Sequence, residues 1–138
     1  MYERLLVAID HSETSERVLA AARNLASLSQ AEVWVLHLRE REVLPRAGLV
    51  PSESKDKARS EVDAAVEELV KAGINAHGEV RDTVFGYAAR DIVDDAQEHD
   101  VKVIVMGSRG RGDLAGLVLG STAHKVIHLA DRPVLVIR

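Results

Sequence analysis

Short apolar runs alternate with longer amphipathic stretches along the whole chain, and this alternation limits the available folds more than any other feature. Leu5–Ile9 is apolar throughout, which is typical of a strand buried on both faces of a sheet. β-Branched residues, which favour strands, recur in four further short runs. The five predicted strands are Leu5–Ile9, Glu32–Leu38, Ile74–Val80, Val101–Met106 and Val134–Ile137.

Between these runs, apolar residues recur three or four positions apart, which is the spacing of one helix face. The first predicted helix follows Ser12 or Thr14, either of which is a suitable N-cap. Gly73 is expected to end the second helix in the left-handed conformation that glycine tolerates. The third is expected to direct Phe85 and Ile92 inward. The bounds predicted for the last three helices are Ser54–Ala72, Val84–Glu98 and Ser121–Ala130.

The resulting order, βαβαβαβαβ, is typical of an α/β fold in which helices join parallel strands. We expect residues 1–138 to form one domain, an open five-stranded parallel sheet with helices on both faces. The connection from Arg39 to Glu53 exceeds the usual length of a strand–helix loop. Because it contains two prolines and a glycine, we interpret it as an irregular loop, either a lid or a mobile insertion.

Composition excludes several kinds of site and partner. The chain has no cysteine, which rules out disulfides, a thiolate nucleophile and a cysteine zinc site. Its 18 basic and 22 acidic residues give a net charge of −4, and its aromatic residues are few, so a nucleic-acid partner is not expected. No apolar run approaches a membrane span of roughly 18 residues or a signal-peptide core. We therefore expect a cytoplasmic protein without a membrane partner.

The strongest functional signal is the glycine-rich segment Gly107–Thr122, GSRGRGDLAGLVLGST, between a predicted strand and a predicted helix. Glycines allow successive backbone N–H groups to converge on an anion, and a helix N-terminus beside them favours negative charge. Arg109 and Arg111 add positive charge. Ligands of open α/β sheets bind at this carboxyl edge of the sheet. The segment therefore predicts a polyphosphate cradle.

Two common phosphate-binding motifs do not describe this segment. The P-loop requires a lysine after its last glycine, and no lysine follows a suitable glycine here. The dinucleotide fingerprint follows the first strand of its fold, where this chain has Asp10 and Ser12 but no glycine. A different kind of nucleotide motif is needed to account for the glycines.

The glycine spacing matches one family signature. Gly107-x-x-Gly110, nine residues and then Gly120-Ser121 reproduce the G-2x-G-9x-G-[ST] pattern of ATP-binding universal stress proteins. The opening strand that ends in Asp10, the LHL sequence of the second predicted strand, the MGSRG block and the PVLVIR segment also fit. The chain as a whole resembles this family.

This resemblance implies a fold, a ligand and a function. The family's Rossmann-like sheet has the strand order 3-2-1-4-5, and ATP, with Mg²⁺, would bind between strands one and four. The implied function is a small regulator in the stress response, whose nucleotide occupancy tunes its conformation or its binding of a regulatory partner protein. The implied nucleotide-binding residues are Ala8, Ile9, Asp10, Leu38, Met106, Gly107, Arg109, Gly110, Gly120, Ser121 and Thr122.

The resemblance also implies a homodimer. Family members pair through their last strand, here Val134–Ile137, which is an edge strand in the implied order. An apolar edge with free backbone groups invites pairing with a second copy. Only Arg138 adds charge beside it. We therefore expect the two copies to join at this strand.

Alternative interpretations remain open. Asp10 can instead cap the first helix, and Ser121 with Thr122 can serve only as an N-cap pair. The same site suits a slow ATPase or phosphotransferase, although Asp10 and Asp113 are the only acids near the glycines and no catalytic base is evident. A dimeric interaction module without nucleotide is a further alternative. A phospho-receiver is disfavoured because Asp82, its nearest candidate, lies past the predicted strand end.

The histidines do not predict a metal site. His124 and His128 lie four positions apart on a predicted helix, but no third ligand accompanies them. His37 lies in an apolar strand, and we interpret it as a near-core histidine. The remaining three histidines are interpreted as surface residues.

Overall fold

Strands and helices alternate in the computed structural model, which describes residues 2–10, 12–110 and 119–138. The strands are β1 (Arg4–Ile9), β2 (Glu32–Leu44), β3 (Gly48–Pro51), β4 (Ala76–Val84), β5 (Val103–Gly107) and β6 (Val134–Ile137). The helices are α1 (Ser15–Ser29), α2 (Lys55–Lys71), α3 (Ala88–Glu98) and α4 (Ser121–Leu129). Within the described residues, none of these helices is long and apolar enough to cross a membrane.

The strands form one sheet with β1 at its centre. β1 pairs in parallel with β2 on one side and with β5 on the other, while β4 pairs in parallel with β2 and β6 with β5. The parallel part therefore runs β4-β2-β1-β5-β6, which is the order implied for five strands. The α/β fold is confirmed. The sheet is mixed and has six strands, however, because β3 pairs antiparallel with β2.

The prediction of an irregular loop from Arg39 to Glu53 is wrong, because β2 continues to Leu44 and turns back into β3. Gly48 begins β3 with φ +70°, a conformation that residues with side chains adopt only under strain. Pro51 is tolerated because an edge strand needs fewer backbone donors than a central one. Proline and glycine, which suggested a loop, here shape a hairpin.

The third predicted helix begins too early. β4 extends to Val84 in register with β2, and the helix starts only at Ala88. Gly86, with φ +94°, lies in the turn between them. Phe85 is consequently 67% exposed, so its predicted inward position is wrong. Ile92 is buried as predicted.

Two apolar layers cover the two faces of the sheet. Along β2, Val33 and Val35 pack with α1 and α2, whereas Leu36 packs with α3 and α4. This alternation is the two-residue period of a strand. His37 and Arg39 continue the series of Val33 and Val35, which places them on the α1–α2 face.

The end of α2 has the geometry predicted from Gly73, whose φ is +82°. The Gly73 N–H donates to the Val70 carbonyl at 2.9 Å, and the Ile74 N–H donates to the Leu69 carbonyl at 3.0 Å. This pair of bonds is a Schellman motif, which satisfies carbonyls that the helix end would otherwise leave open. Leu69 and Ile74 are both buried in the α1–α2 layer.

Candidate functional site

A recess opens at the carboxyl edge of the sheet, between the ends of β1 and β5. β2 and β4 lie on one side of β1, and β5 and β6 lie on the other side. The loops that follow β1 and β5 therefore run in opposite directions, which leaves a crevice between them. α1 follows the first of these loops and α4 follows the second. Two helix N-termini therefore border the recess, and their backbone N–H groups and dipoles favour an anion.

Asp10 orders the loop between β1 and α1. Its Oδ1 accepts a hydrogen bond from the Ser12 N–H at 2.7 Å, as in an Asx turn. The Ser15 hydroxyl donates to the Asp10 carbonyl oxygen at 2.5 Å and lies 3.2 Å from Asp10 Oδ1. Asp10 therefore has a structural role at the start of α1, and it also lines the recess.

The end of β5 approaches the start of α1 closely because Gly107 has no side chain. A Cβ on Gly107 would lie 2.9 Å from Thr14 Oγ1, a distance that real Cβ atoms essentially never show. Beyond it, the Ser108 N–H donates to the Ile137 carbonyl at 2.7 Å, and the Ser108 carbonyl accepts from the Gly120 N–H. These bonds hold the two ends of the glycine-rich segment together, so that Gly120 becomes the N-cap of α4.

The facing wall of the recess is apolar. It is formed by side chains of β1, β2, α3 and β5, namely Ala8, Leu36, Leu38, Ala88, Ile92 and Met106. The enclosed volume is about 90 Å³, below the roughly 300–1,000 Å³ of typical small-molecule sites, and the recess with its open mouth measures about 590 Å³. A ligand of drug-like size would therefore lie across the mouth, with one part inserted against the apolar wall.

The structure brings most of the predicted ligand-binding residues to this recess. Nine of the eleven line it, namely Ala8, Ile9, Asp10, Leu38, Met106, Gly107, Arg109, Gly110 and Thr122. Gly120 and Ser121 are not among the lining residues; Gly120 is buried at the start of α4 and Ser121 is exposed. Arg111 and Asp113 lie outside the described residues.

Several lining residues were missed by sequence reasoning, among them Thr14, Leu36, Ala88 and Ile92. The position of Leu36 could have been predicted from the sequence, because it precedes Leu38 by two residues and therefore lies on the same face of β2. Those of Ala88 and Ile92 could not, because only tertiary packing brings α3 against the end of β2.

Charged groups lie in the recess and near it. Glu40 lies on β2 two residues beyond the lining residue Leu38, and burial raises the pKa of its carboxyl; the negative charges of Asp10 and Glu42 raise that pKa further, while His37 lowers it. A raised pKa favours the neutral form of Glu40. On the β5 side, Arg109 brings a guanidinium to the lining. Together with the two helix N-termini, Arg109 makes the recess suitable for an anion.

Comparison with known proteins identifies one family. Residues 1–138 match the Universal stress protein family. The chain is 36% identical to Universal stress protein YxiE of Bacillus subtilis, with all of each protein covered. It is 33% identical to Universal stress protein MJ0577 of Methanocaldococcus jannaschii, over all of this chain and 96% of that protein.

Solved structures show the same fold. The structure of MJ0577 superposes with a TM-score of 0.81, at 25% identity over 99% of this chain and 96% of that one. The universal stress protein from Archaeoglobus fulgidus, solved in complex with dAMP, has a TM-score of 0.75 at 31% identity, over 99% and 98% of the two chains. Sequence and structure therefore agree that this chain belongs to the universal stress protein family.

Proposed function

We propose that this chain binds ATP across the recess between β1 and β5 and acts as a small regulator in the stress response. The observation that carries the proposal is that two helix N-termini and an apolar wall border the same recess. Helix N-termini suit phosphates, and an apolar slot suits a base. The dAMP bound by the Archaeoglobus fulgidus relative supports an adenine nucleotide.

The proposed contacts divide along the recess. The backbone of Ala8 and Ile9, with the Leu38 side chain, faces the base; Asp10 faces the ribose; Met106 and Gly107 lie between base and phosphates. The phosphates would contact Arg109, Gly110, Gly120, Ser121 and Thr122. Mg²⁺ would accompany the triphosphate, and the Asp10 carboxylate is an oxygen ligand of the kind that Mg²⁺ prefers.

Calorimetry with ATP and AMP tests the phosphate assignment. Each hydrogen bond lost from a charged group costs about 1.5–3 kcal/mol, and about 1.4 kcal/mol is tenfold in affinity. AMP is therefore expected to bind at least tenfold more weakly than ATP. Equal affinities would contradict the assignment. Mass spectrometry of ligand released from freshly purified, denatured protein is expected to find an adenine nucleotide; empty protein would favour an interaction module without nucleotide.

An ATP hydrolysis assay distinguishes a nucleotide-binding regulator from an ATPase or phosphotransferase that uses the same site. Beside Asp10, the described lining holds no second acid or histidine that would activate a water. A regulator is expected to retain bound ATP largely unchanged in a single-turnover assay, because the presence of ATP in the site is what tunes its conformation or its binding of a partner. Rapid conversion to ADP would establish an ATPase or phosphotransferase instead.

A homodimer through β6 is the second part of the proposal. β6 lies at the edge of the sheet beside β5, and Leu135 is 39% exposed there. The Pro133 carbonyl accepts from Ile104 of β5, and the Ile137 carbonyl accepts from Ser108 directly after β5. The backbone groups of Val134 and Val136 therefore point to the open edge. Antiparallel pairing with a second copy would satisfy them about a two-fold axis.

A further inference from the structure

Three side chains with metal-binding atoms converge on the α1–α2 face of the sheet, outside the nucleotide recess. His37 lies in β2, Glu53 just before α2 and Glu61 within α2. One donor atom from each lies within 4.8 Å of the other two. The side chains of His37 and Glu53 are only 2% and 3% exposed, and Glu61 is half-buried. The cluster therefore joins three separate parts of the chain in a largely dry environment.

A backbone carbonyl determines which ring nitrogen of His37 faces this cluster. Nδ1 lies 3.0 Å from the carbonyl oxygen of Ile9. Because a carbonyl only accepts, Nδ1 carries the proton, and in the neutral ring Nε2 presents a lone pair. Nε2 is the atom in contact with Glu53 Oε1. Metal-ligating histidines almost always donate their other N–H in this way, which fixes the orientation of the ring.

A proton or a cation is needed between His37 Nε2 and the Glu53 carboxylate. Nε2 and the Glu53 carboxylate are hydrogen-bonded, so one of them holds a proton between them. A metal ion can take the place of that proton, because metal ligands bind in their deprotonated forms. Glu61 adds a second carboxylate, which repels the first. In their deprotonated, metal-binding forms, two carboxylates and one neutral imidazole carry a combined charge of −2, which matches a divalent cation.

We infer that His37, Glu53 and Glu61 bind a divalent transition-metal ion such as Zn²⁺. One imidazole nitrogen with two carboxylate oxygens suits Zn²⁺, whereas Mg²⁺ prefers oxygen ligands alone. Three protein ligands leave a fourth position for water. Ligand atoms in a tetrahedral zinc site lie about 3.3 Å apart, so donors already within 4.8 Å need only small shifts.

A second cluster of similar composition lacks these features. Glu79, Asp95 and His99 also place donor atoms within 4.8 Å of one another. There the Arg81 guanidinium lies 3.0 Å from Asp95 Oδ1 and so bonds one of the candidate ligand atoms directly. The arginine beside the His37 cluster, Arg39, bonds the backbone carbonyl of Glu53 at 3.4 Å. A metal ion on Asp95 would be repelled by the charge of Arg81. Within the described residues, the His37 cluster is therefore the stronger metal site.

An entry path leads to the cluster from solvent. Glu61 lines an open cleft between α1 and α2 together with Asp10, Glu16 and Glu68. Carboxylates along such a cleft raise the local concentration of cations. The ion would also lie close to the nucleotide recess, because the Ile9 carbonyl that holds His37 precedes Asp10 directly. Bound metal would thus stiffen the carboxyl end of β1.

Titration of metal-stripped, nucleotide-free protein with ZnCl₂ tests the site. The wild type is expected to bind one tight equivalent by calorimetry and to melt at a higher temperature with Zn²⁺, and MgCl₂ is not expected to compete. Glu61→Gln keeps the size of a half-buried side chain and is expected to weaken Zn²⁺ binding at least tenfold, since loss of even an outer-shell partner typically weakens it ~10–100-fold. Glu68→Gln makes the same charge change in the same cleft and is expected to leave binding unchanged.

Two outcomes would overturn the inference. One is a wild type that binds no Zn²⁺ at 100-fold excess, or one whose tight site is lost in His124→Asn instead of Glu61→Gln, which would place the metal on the exposed α4 histidines. The other is a ¹⁵N spectrum of His37 that shows both ring nitrogens protonated and unchanged by Zn²⁺. That spectrum would mean that a proton bridges Nε2 and Glu53. A Zn²⁺-induced shift of Nε2 alone supports the metal site, whichever variants fold.

Discussion

Arg39 and Asp82 form an ion pair across neighbouring parallel strands through two hydrogen bonds, from Nε to Oδ1 at 2.7 Å and from Nη2 to Oδ2 at 3.0 Å. They are register partners in β2 and β4, and Arg39 is 7% exposed. Its Nη1 also reaches the backbone carbonyl of Glu53 at 3.4 Å. One guanidinium therefore joins β2, β4 and the segment before α2. It also occupies the Asp82 carboxylate, which a phospho-receiver would need free for phosphorylation.

Removal of the Asp82 charge is expected to lower stability in a pH-dependent manner. The hydrogen bond from Arg39 holds the pKa of Asp82 below its usual value of 3.8. Such a group stabilises the folded state above the unfolded pKa, and the stabilisation is lost as pH falls through the lower, folded pKa. Asp82→Asn is therefore expected to unfold at lower urea than the wild type at pH 7, with the difference shrinking below pH 3.8. A difference that is constant from pH 7 to 3 would contradict the ion pair. Asp63→Asn, at an exposed i,i+4 pair, serves as control.

Asp95 is expected to have the opposite pH dependence. Burial raises its pKa to about 6, and a hydrogen bond with Glu79 adds to this, against the effect of Arg81. Between about pH 4 and 6 the folded state holds a proton that the unfolded state has released, so stability falls as pH rises. Urea unfolding should show the wild type losing stability relative to Asp95→Asn across this range. A relative gain would show that the ion pair with Arg81 outweighs burial.

Gly73→Ala is expected to destabilise the protein by about 1–2 kcal/mol, the strain of placing a side chain in the left-handed region. An added Cβ at Gly73 meets nothing within 4 Å, so backbone strain and not a clash is the cause. Gly73→Asn, which tolerates this region better, is expected to lose less in the same thermal melts. Equal losses for both variants would argue against strain as the reason.

Gly120→Val is expected to abolish ATP binding while the far-ultraviolet circular dichroism stays unchanged. A side chain at Gly120 would occupy space that we assign to the phosphates at the start of α4. With φ −74° the backbone itself tolerates a side chain. Gly120→Ala is expected to show a smaller loss in calorimetry. Unfolding of Gly120→Val, or undiminished binding, would mean instead that this buried glycine serves only in packing.

Val136→Pro is expected to convert a dimer into a monomer by light scattering. The Val136 N–H points to the open edge of β6, so proline there removes a donor to the second copy without breaking the ladder to β5. Leu135→Pro, one residue earlier, removes a donor that faces β5 and should damage the fold instead. A wild type that is monomeric at micromolar concentration would refute the dimer.

Most residues that line the recess were predicted from the sequence, because they lie at the ends of strands and helices. Asp10 follows β1, Gly107 ends β5 and Thr122 lies in the first turn of α4, and parallel strands bring their carboxyl ends to one edge. The same logic applied to Gly73, whose conformation depends on its own backbone and the last turn of a helix. Local rules suffice where local geometry decides the structure.

By itself, the sequence determined the order of the four helices and of five of the six described strands, the helix end at Gly73 and the family signature in the glycines. Only the tertiary structure decided that β2 extends into a hairpin, that Phe85 is exposed, and that His37 meets Glu53 and Glu61. The physical reason is that a two-residue period states which face a side chain occupies but not what lies opposite it. Partners on another strand or helix are set by register and packing, which no local pattern contains.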